Sequence, residues 1–169
     1  SRQGVLQLYK NHFSNLRNYW GLNQTVNSIQ IYRGRTYVGC DDGLYCFYGK
    51  KKANDKLVNI CRGKRIRQIY LDKELKLWVS TYQDGLLVMD SEGHVSQYNS
   101  ENSNLDTNQI RCLWQRENKD LLIGTEDGLY VRDTEGNIKK FTDDNILNSS
   151  RILDVKEDSR GIVYAATDG

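Results

Sequence analysis

The stretch Leu121-Leu-Ile-Gly-Thr-Glu-Asp-Gly-Leu129 joins a short apolar run to an acidic turn and a glycine, after which a second apolar run begins. The same arrangement occurs at four places along the chain: Asp42-Gly43, Asp84-Gly85, Asp127-Gly128 and Asp168-Gly169. Gly4 occupies the equivalent position once more, and the five glycines are 39, 42, 43 and 41 residues apart. A period of about forty residues predicts a repeat architecture.

Alignment on the glycine divides each unit into four short apolar runs. The first runs begin at Val26, Ile66, Ile110 and Ile152, and the third runs at Val5, Leu44, Leu86 and Leu129. The fourth runs are marked by pairs three residues apart: Leu16 and Tyr19, Leu57 and Ile60, Val95 and Tyr98, Ile138 and Phe141. Short apolar runs separated by Gly, Asp and Asn predict an antiparallel meander. Asp-Gly favours tight hairpin turns, since glycine adopts positive φ without strain.

The second runs share a small residue at their third position. These runs are Tyr37–Cys40, Trp78–Thr81, Leu122–Thr125 and Val163–Ala166, and the small residues are Gly39, Ser80, Gly124 and Ala165. Glycine weakens a strand unless space is needed, so this position predicts close approach of a neighbouring backbone. We predict no helix. The segment Leu16–Trp20 aligns with the other fourth runs and is therefore expected to be a strand.

Four-stranded units of this length are typical of propeller blades, so we predict an all-β fold: a β-propeller of four-stranded antiparallel blades with about four blade equivalents. Residues 1–21 supply the outer strands of a first blade and 147–169 the inner strands of a last one. Residues 22–61, 62–104 and 105–146 form whole blades. The two half blades could join to close a four-bladed ring, but we expect this chain to be part of a larger, seven-bladed propeller.

Composition excludes several classes of protein. The 169 residues contain 24 Lys and Arg against 22 Asp and Glu, a net charge of +2, which provides no cation excess for nucleic-acid binding. Mean hydropathy is −0.71, and no apolar run approaches the roughly 20 residues of a membrane span. The chain starts at Ser1 without a signal-like apolar segment. Either the protein is cytosolic or its targeting part has been removed.

Few residues have the types or spacing that catalysis or metal binding requires. The four cysteines form no CxxC pair, and the two histidines, His12 and His94, fall in turns, so we predict no catalytic residues, no metal site and no cofactor. The cysteines are expected to be small buried hydrophobic residues, although Cys40 and Cys46 flank one turn and could approach each other. The acids before the glycines could collect calcium, but Asp also favours turns by itself, which is the interpretation we prefer.

The segment Leu77-Trp-Val-Ser-Thr81, continuing to Asp84-Gly85-Leu86, resembles the two-component regulator propeller repeat. The stretch Leu121–Leu129 resembles the same element, with Leu122 at the tryptophan position. The loops Leu22–Val26, Leu105–Ile110 and Leu147–Ile152 resemble the Leu-Pro-x-x-x-Val loop of that family, without its proline. Tyr37 and Val163 are aligned with the position that tryptophan occupies in the family repeat, and there too this chain differs from the family.

This resemblance implies the sensor domain of a bacterial hybrid histidine kinase or diguanylate cyclase. Such a domain lies on the periplasmic or extracellular side of the cell membrane, and the parent protein is anchored through a separate segment. The best understood members recognise oligosaccharides. A segment of this kind is not an enzyme, although its parent carries a catalytic output domain.

The inter-blade loops and the Asp-Gly turns are expected on one face of the propeller, where ligands commonly bind. A basic cluster, Arg62, Lys64 and Arg65 with Arg67, could receive an acidic sugar or a partner's acids, or simply balance nearby carboxylates. Aromatic rings stack on sugars, and amides both donate and accept hydrogen bonds. The predicted ligand-binding residues are Trp20, Arg62, Lys64, Arg65, Tyr82, Gln83, Asn104 and Asn148.

Three functions remain open from the sequence. The first is a sensing module for an oligosaccharide or another small molecule. The second is an interaction scaffold without a small ligand, for example a homodimer, because unpaired strand edges at the two ends favour association. The third is a propeller lyase of the streptogramin type, which the scarcity of histidine disfavours.

Overall fold

The computed structural model describes residues 6–9, 12–141 and 149–168, with side chains from residue 17 onward in these ranges. Gly4, Leu147 and Gly169 of the predicted repeat lie outside them. The outer-blade elements at the start are β1 (Leu6–Tyr9), β2 (His12–Asn15) and α1 (Leu16–Trp20). The remaining elements are β3 (Val26–Tyr32), β4 (Arg35–Cys40), β5 (Gly43–Tyr48), β6 (Lys51–Ala53), α2 (Lys56–Ile60), β7 (Ile66–Leu71), β8 (Leu77–Thr81), β9 (Leu86–Met89), β10 (Val95–Tyr98), β11 (Ile110–Gln115), β12 (Leu121–Thr125), β13 (Gly128–Arg132), β14 (Ile138–Lys140), β15 (Ile152–Glu157) and β16 (Val163–Thr167).

The strands form antiparallel meanders in chain order. Three sheets have four strands each (β3 to β6, β7 to β10 and β11 to β14), and the pairs β1–β2 and β15–β16 form two-stranded sheets. The predicted propeller of four-stranded antiparallel blades, about four blade equivalents in all, is therefore confirmed. Because β1–β2 and β15–β16 remain separate sheets, the described strands do not close a ring. The seven-bladed parent stays a prediction.

Two short helices replace predicted fourth strands, so the expectation of no helix is wrong. The pairs Leu16 and Tyr19, and Leu57 and Ile60, lie in α1 and α2, and the fourth strands of those units are β2 and β6. A spacing of three residues also matches one turn of helix, and that period prevails here. In α2, Asp55 caps the helix by accepting a hydrogen bond from the Val58 amide at 2.9 Å. The helix then buries two apolar side chains, those of Leu57 and Val58.

The glycine of the Asp-Gly turn has the predicted backbone. Gly85 has φ +78° and Gly128 has φ +110°, values that glycine adopts readily. Space is restricted as well, because a Cβ on Gly85 would overlap the carbonyl oxygen of Tyr98. Local conformation and packing therefore both require glycine at Gly85.

The small residue of the second strand faces the next blade, and the group that approaches it is a side chain rather than the predicted backbone. A Cβ on Gly39 would lie 2.5 Å from Cγ2 of Ile66, and one on Gly124 would overlap Sγ of Cys112 on the paired strand and lie 2.8 Å from Cγ2 of Ile152. Both isoleucines begin the inner strand of the following blade. At these two positions the next blade therefore restricts the residue to a small one.

In the last unit the register differs from the alignment by one residue. Asp154 pairs with Ala166, as Cys112 pairs with Gly124, so Ala166 rather than Ala165 holds the small position. By the same register Tyr164, not Val163, stands at the tryptophan position. In the sequence Ala166 lies three residues before Gly169, whereas Gly39 and Gly124 lie four residues before Gly43 and Gly128, so the alignment on the glycine selected Ala165 instead.

The core lies between blades, where three clusters of buried side chains fill the interfaces from β3 onward. The cluster between the first two whole blades includes Tyr37, Leu44, Cys46, Leu57, Ile66, Ile69, Leu77 and Leu87. The next cluster includes Trp78, Leu86, Ile110, Leu113, Ile123 and Tyr130. The third, between the last whole blade and β15–β16, includes Cys112, Leu122, Leu129, Val131, Ile152 and Val155. All four cysteines are buried and free, as the hydrophobic interpretation predicted. Burial raises the pKa of the thiols of Cys40, Cys61 and Cys112 to about 12, so they stay protonated.

Hydrogen bonds join neighbouring inner strands as well. The Oγ of Ser28 accepts from the Ile69 amide at 2.9 Å, and Oε1 of Gln68 accepts from the Leu113 amide at 2.6 Å. Ser28 and Gln68 occupy the same position in successive units. Each of the first two whole blades therefore satisfies a backbone donor of the blade that follows it, and these hydrogen bonds fix the relative orientation of blades whose interface is otherwise apolar.

Replacing Gly39 by valine tests the inter-blade contact. We expect Gly39→Val to lower the free energy of unfolding by about 1–3 kcal/mol, since the new side chain overlaps Ile66 of the next blade. Ala166→Val is the matched control, because Ala166 is exposed at the equivalent position, and it should change stability by less than about 0.5 kcal/mol. Urea unfolding followed by tryptophan fluorescence measures both. Equal losses in the two variants would contradict this explanation of the small residue.

Candidate functional site

The turns between second and third strands lie beside the inter-blade loops. Backbone hydrogen bonds join each such turn to the loop that follows its blade: Gly63 N to Asp42 O (2.8 Å), Gly85 N to Asn108 O (3.0 Å) and Gly128 N to Ser150 O (2.6 Å). We call this surface the turn–loop face. It consists of residues 41–43, 63–67, 82–85, 105–111, 126–128 and 149–151. The face that the sequence predicted for ligand binding is therefore a continuous, hydrogen-bonded rim.

Each inner strand begins on this rim with a β-bulge. The strand register skips one residue in every unit, namely Asn27, Arg67, Arg111 and Leu153. A bulge bends the strand and redirects the side chain of the extra residue. Sequence analysis did not select Arg111. Its signal would have been the second residue of the aligned first runs, where two of the four units carry arginine.

Tyr82 and two arginines form the centre of the candidate site. The guanidinium carbon of Arg67 lies 4.7 Å from the centroid of the Tyr82 ring, and that of Arg65 lies 5.6 Å from it. The Tyr82 amide donates to the Arg65 carbonyl oxygen at 3.0 Å, which fixes the ring beside the loop. Such contacts are cation–π interactions, and they hold the guanidinium groups against the aromatic face.

Two of the predicted basic residues have acidic partners. Nε of Arg65 lies 2.9 Å from Oδ1 of Asp41, and Lys64 forms an ion pair with Asp84. For these two residues the structure matches the alternative of local charge balance. Their donors are only partly used, however, since an arginine carries five N–H groups.

Glu126 organises the neighbouring part of the face. Its Oε1 accepts from Nε of Arg111 at 2.7 Å, and its Oε2 accepts from Nε of Arg151 at 2.6 Å. Arg151 also contacts Oδ2 of Asp168 at 2.5 Å through Nη1. Burial opposes ionisation of Glu126, but the hydrogen bonds from both arginines outweigh it and lower the pKa of the carboxyl group. These acids are engaged by arginines, and in the described ranges no three His, Cys, Asp or Glu side chains cluster as a metal site.

Arg62 lies in an adjoining cleft of about 470 Å³ between β5, β6 and α2. Tyr45 and Asp42 line this cleft, with the tyrosine hydroxyl donating to Oδ2 of the aspartate at 2.8 Å. Burial, reinforced by that carboxylate, raises the pKa of Tyr45 to about 12. Nη2 of Arg62 contacts Oδ1 of Asn59 at 3.3 Å. Asp42 lies both in this cleft and on the turn–loop face, so the two adjoin.

The structure gathers half of the predicted ligand-binding residues. Lys64, Arg65, Tyr82 and the exposed Gln83 lie together on the turn–loop face, with Arg62 in the adjoining cleft.

Two predicted residues lie elsewhere, and one cannot be placed. The Trp20 ring stacks on Phe47 at 4.5 Å, and its Nε1 donates to the Gly49 carbonyl oxygen at 3.0 Å, at the far end of β5. The amide of Asn104 donates to the carbonyl oxygen of Ile138, on an outer strand. Asn148 falls outside the described residues.

The sequence matches no protein-family model and no curated protein. Solved structures do share its fold. The extracellular domain of BT4673 from B. thetaiotaomicron, a proposed one-component system, is 23% identical with a TM-score of 0.76, covering 99% of this chain and 24% of that chain. The extracellular domain of BT3049, a proposed hybrid two-component system from the same organism, is 20% identical with a TM-score of 0.57, covering 86% and 26%.

A third similar structure is an enzyme. Catalytically inactive virginiamycin B lyase from Staphylococcus aureus, solved with quinupristin, is 12% identical with a TM-score of 0.64, covering 85% of this chain and 50% of that chain. This chain thus spans about a quarter of the two extracellular domains and half of the lyase. At such identities the likeness establishes the fold: the chain is a partial β-propeller.

Proposed function

We propose that this chain is part of the ligand-sensing propeller of a bacterial signal-transduction protein, on the periplasmic or extracellular side of the cell membrane. The observation that carries the proposal is the gathering of Lys64, Arg65, Arg67 and Tyr82 on the turn–loop face, with Arg111 nearby. The likeness to extracellular domains of proposed one-component and hybrid two-component systems supports it.

The ligand is a carbohydrate or another small polar molecule. Tyr82 offers an aromatic surface of the kind that stacks on sugar C–H groups, and the exposed Gln83 amide in the same turn both donates and accepts. The arginines around the ring add directional donors. This combination suits a hydroxyl-rich molecule better than an apolar one.

Ligand contact on this face couples to the arrangement of the blades. Arg65 and Tyr82 belong to the unit built on β7 to β10, whereas Arg111 begins the inner strand of the next unit. A ligand that contacts both units favours the inter-blade geometry in which all its contacts form, and only such differential affinity can shift a conformational equilibrium. The output is a histidine kinase or diguanylate cyclase reached through a separate segment. Within the described ranges, no helix is long and apolar enough to cross a membrane.

A lyase activity is less consistent with the side chains present. A lyase needs a free acid or base over the propeller axis, whereas Asp41, Asp84 and Glu126 on this face are engaged by cations. His94 lies in the turn between β9 and β10, at the other end of the blade, with its Nδ1 3.2 Å from Oδ2 of Asp90. We therefore propose a non-catalytic segment.

An interaction scaffold is the second candidate, because apolar side chains are exposed on the inner strand of the first whole blade and on the last strand pair. Ile29 and Ile31 of β3 are 43% and 67% exposed, and Leu153 and Tyr164 of the last strand pair are 43% and 53% exposed. In a complete propeller these faces would pack against further blades. In this chain alone they are available to a second copy.

Substitution on the turn–loop face tests the sensing proposal. We expect a glycan array of neutral and acidic oligosaccharides to yield a binder, and Arg65→Ala and Tyr82→Ala each to weaken its affinity about tenfold, through loss of a hydrogen-bond donor or a stacking ring. Arg62→Ala, in the adjoining cleft, should also weaken binding.

Arg33→Ala is the matched control, because Arg33 lies in the β3–β4 turn and its Nη1 donates to the Ser91 carbonyl oxygen. Its affinity for the same glycan should equal that of the unmodified protein. A binder whose affinity survives both Arg65→Ala and Tyr82→Ala would remove this face from the site, and an array without any binder would contradict the carbohydrate assignment.

Self-association tests the scaffold candidate. Sedimentation velocity should show the unmodified chain associating as its concentration rises, because exposed apolar faces favour association. Ile31→Asp should reduce that association. Tyr48→Asp, at a residue equally 67% exposed but on β5, should not. A chain that stays monomeric throughout would argue against the scaffold.

A further inference from the structure

Arg67 lies on the turn–loop face and forms no ion pair with any described residue. Its Nε is buried and has no hydrogen-bond partner among the described residues, and its guanidinium carbon lies 4.7 Å from the centroid of the Tyr82 ring. Four other basic side chains of this region, in contrast, each face a carboxylate: Lys64, Arg65, Arg111 and Arg151. A buried donor left unpaired costs free energy, so its persistence needs an explanation.

The surrounding charges do not provide the missing partner. Burial, followed by repulsion from Arg111 and Arg65, lowers the pKa of Arg67, while Glu126 acts in the opposite direction. Both oxygens of Glu126 are already hydrogen-bonded, one to Arg111 and one to Arg151. An arginine stays protonated even when its pKa falls, so the positive charge is retained. The local field therefore favours an added anion.

The geometry around Arg67 suits an oxyanion. The bulge at the start of β7 redirects this side chain, and its guanidinium carbon lies 4.7 Å from the centroid of the Tyr82 ring. The ring is not a hydrogen-bond acceptor of the kind that an oxyanion provides, so the contact leaves that role open. A guanidinium binds carboxylate or sulfate through two parallel hydrogen bonds, which a planar edge presents and a single ammonium does not.

We propose that the ligand sensed on this face carries an anionic oxygen group, the carboxylate of a uronic acid or the sulfate ester of a sulfated sugar, and that Arg67 binds this group beside Tyr82. This inference rests on the proposed sensing function and narrows its ligand to acidic carbohydrates. The sugar ring then extends toward Gln83, in the same turn as Tyr82.

Titration of the whole chain with acidic and neutral sugars tests this inference. The acidic probes are glucuronic acid and a sulfated N-acetylglucosamine, and the neutral ones are glucose and N-acetylglucosamine. Added up to about 50 mM, at least one acidic probe should bind with millimolar affinity and its neutral counterpart should not. Binding should weaken as sodium chloride rises, because salt screens exposed charges. Calorimetry and thermal stabilisation report both effects.

Three variants separate charge, geometry and folding. Arg67→Gln should weaken the acidic probe at least about tenfold, and Arg67→Lys should restore only part of the affinity, since a single ammonium lacks the paired donors. Without ligand, Arg67→Gln should melt at the same or a higher temperature, because an unpaired buried donor and a repelled charge are removed. Arg33→Gln, in the β3–β4 turn, removes the same charge and should leave probe binding unchanged.

Three other results would overturn the inference, and each would leave a different function standing. Equal binding of acidic and neutral sugars, unchanged in Arg67→Gln, would overturn it and leave sensing intact. Failure of both acidic probes to bind would also overturn it, and the neutral arms would then decide whether a sugar is sensed at all. Binding of a polyglutamate peptide through Arg67, without binding of either sugar, would replace the carbohydrate by an acidic protein partner.

Discussion

Contact between the second strand of one blade and the inner strand of the next is the constraint on which this structure depends. A single four-stranded sheet leaves apolar side chains on both faces, so it is stable only between neighbours. Gly39 and Gly124 allow Ile66 and Ile152 to approach closely enough to fill the interface. The Ser28 hydroxyl then fixes the relative position of two blades through the Ile69 amide. Because each blade must meet this packing requirement, the corresponding residues recur in the sequence with a period of about forty residues.

The same stacking produces the candidate site. Turn-to-loop hydrogen bonds hold the Asp-Gly turns beside the inter-blade loops, and each inner strand begins at that rim with a β-bulge. Arginine occupies the bulge in two consecutive units, as Arg67 and Arg111, and acids balance Arg111 but not Arg67. The surface around Arg67 therefore keeps a positive charge that could bind an anion, whereas the charge of Arg111 is neutralised by Glu126.

Much of the fold was predictable from sequence because it depends on local chemistry, whereas the errors arose where two periods or two alignments competed. The positive φ of Gly85 could be predicted, because it follows from the Asp-Gly turn. The spacing of three residues between Leu57 and Ile60, in contrast, fits either the end of a strand or one turn of helix. The N-cap formed by Asp55 favours the helix. Among the site residues, Arg65 and Tyr82 could be predicted from the sequence because they lie in loops that the repeat alignment identifies. The bulged position of Arg111 required the strand register, and the stacking of Trp20 depends on tertiary packing.

Hydrogen–deuterium exchange of the whole chain, with and without a sulfated or uronic acid oligosaccharide, tests most directly whether the turn–loop face is the sensing surface. Ligand contacts reduce local opening of the segments that they bridge, and the exchange of those amides slows. The account predicts slower exchange in residues 62–67, 82–85 and 108–111, with no change in residues 33–35 and 90–94 at the other end of the blades. Protection confined to the latter segments, or no protection from any acidic or neutral oligosaccharide that binds, would contradict it.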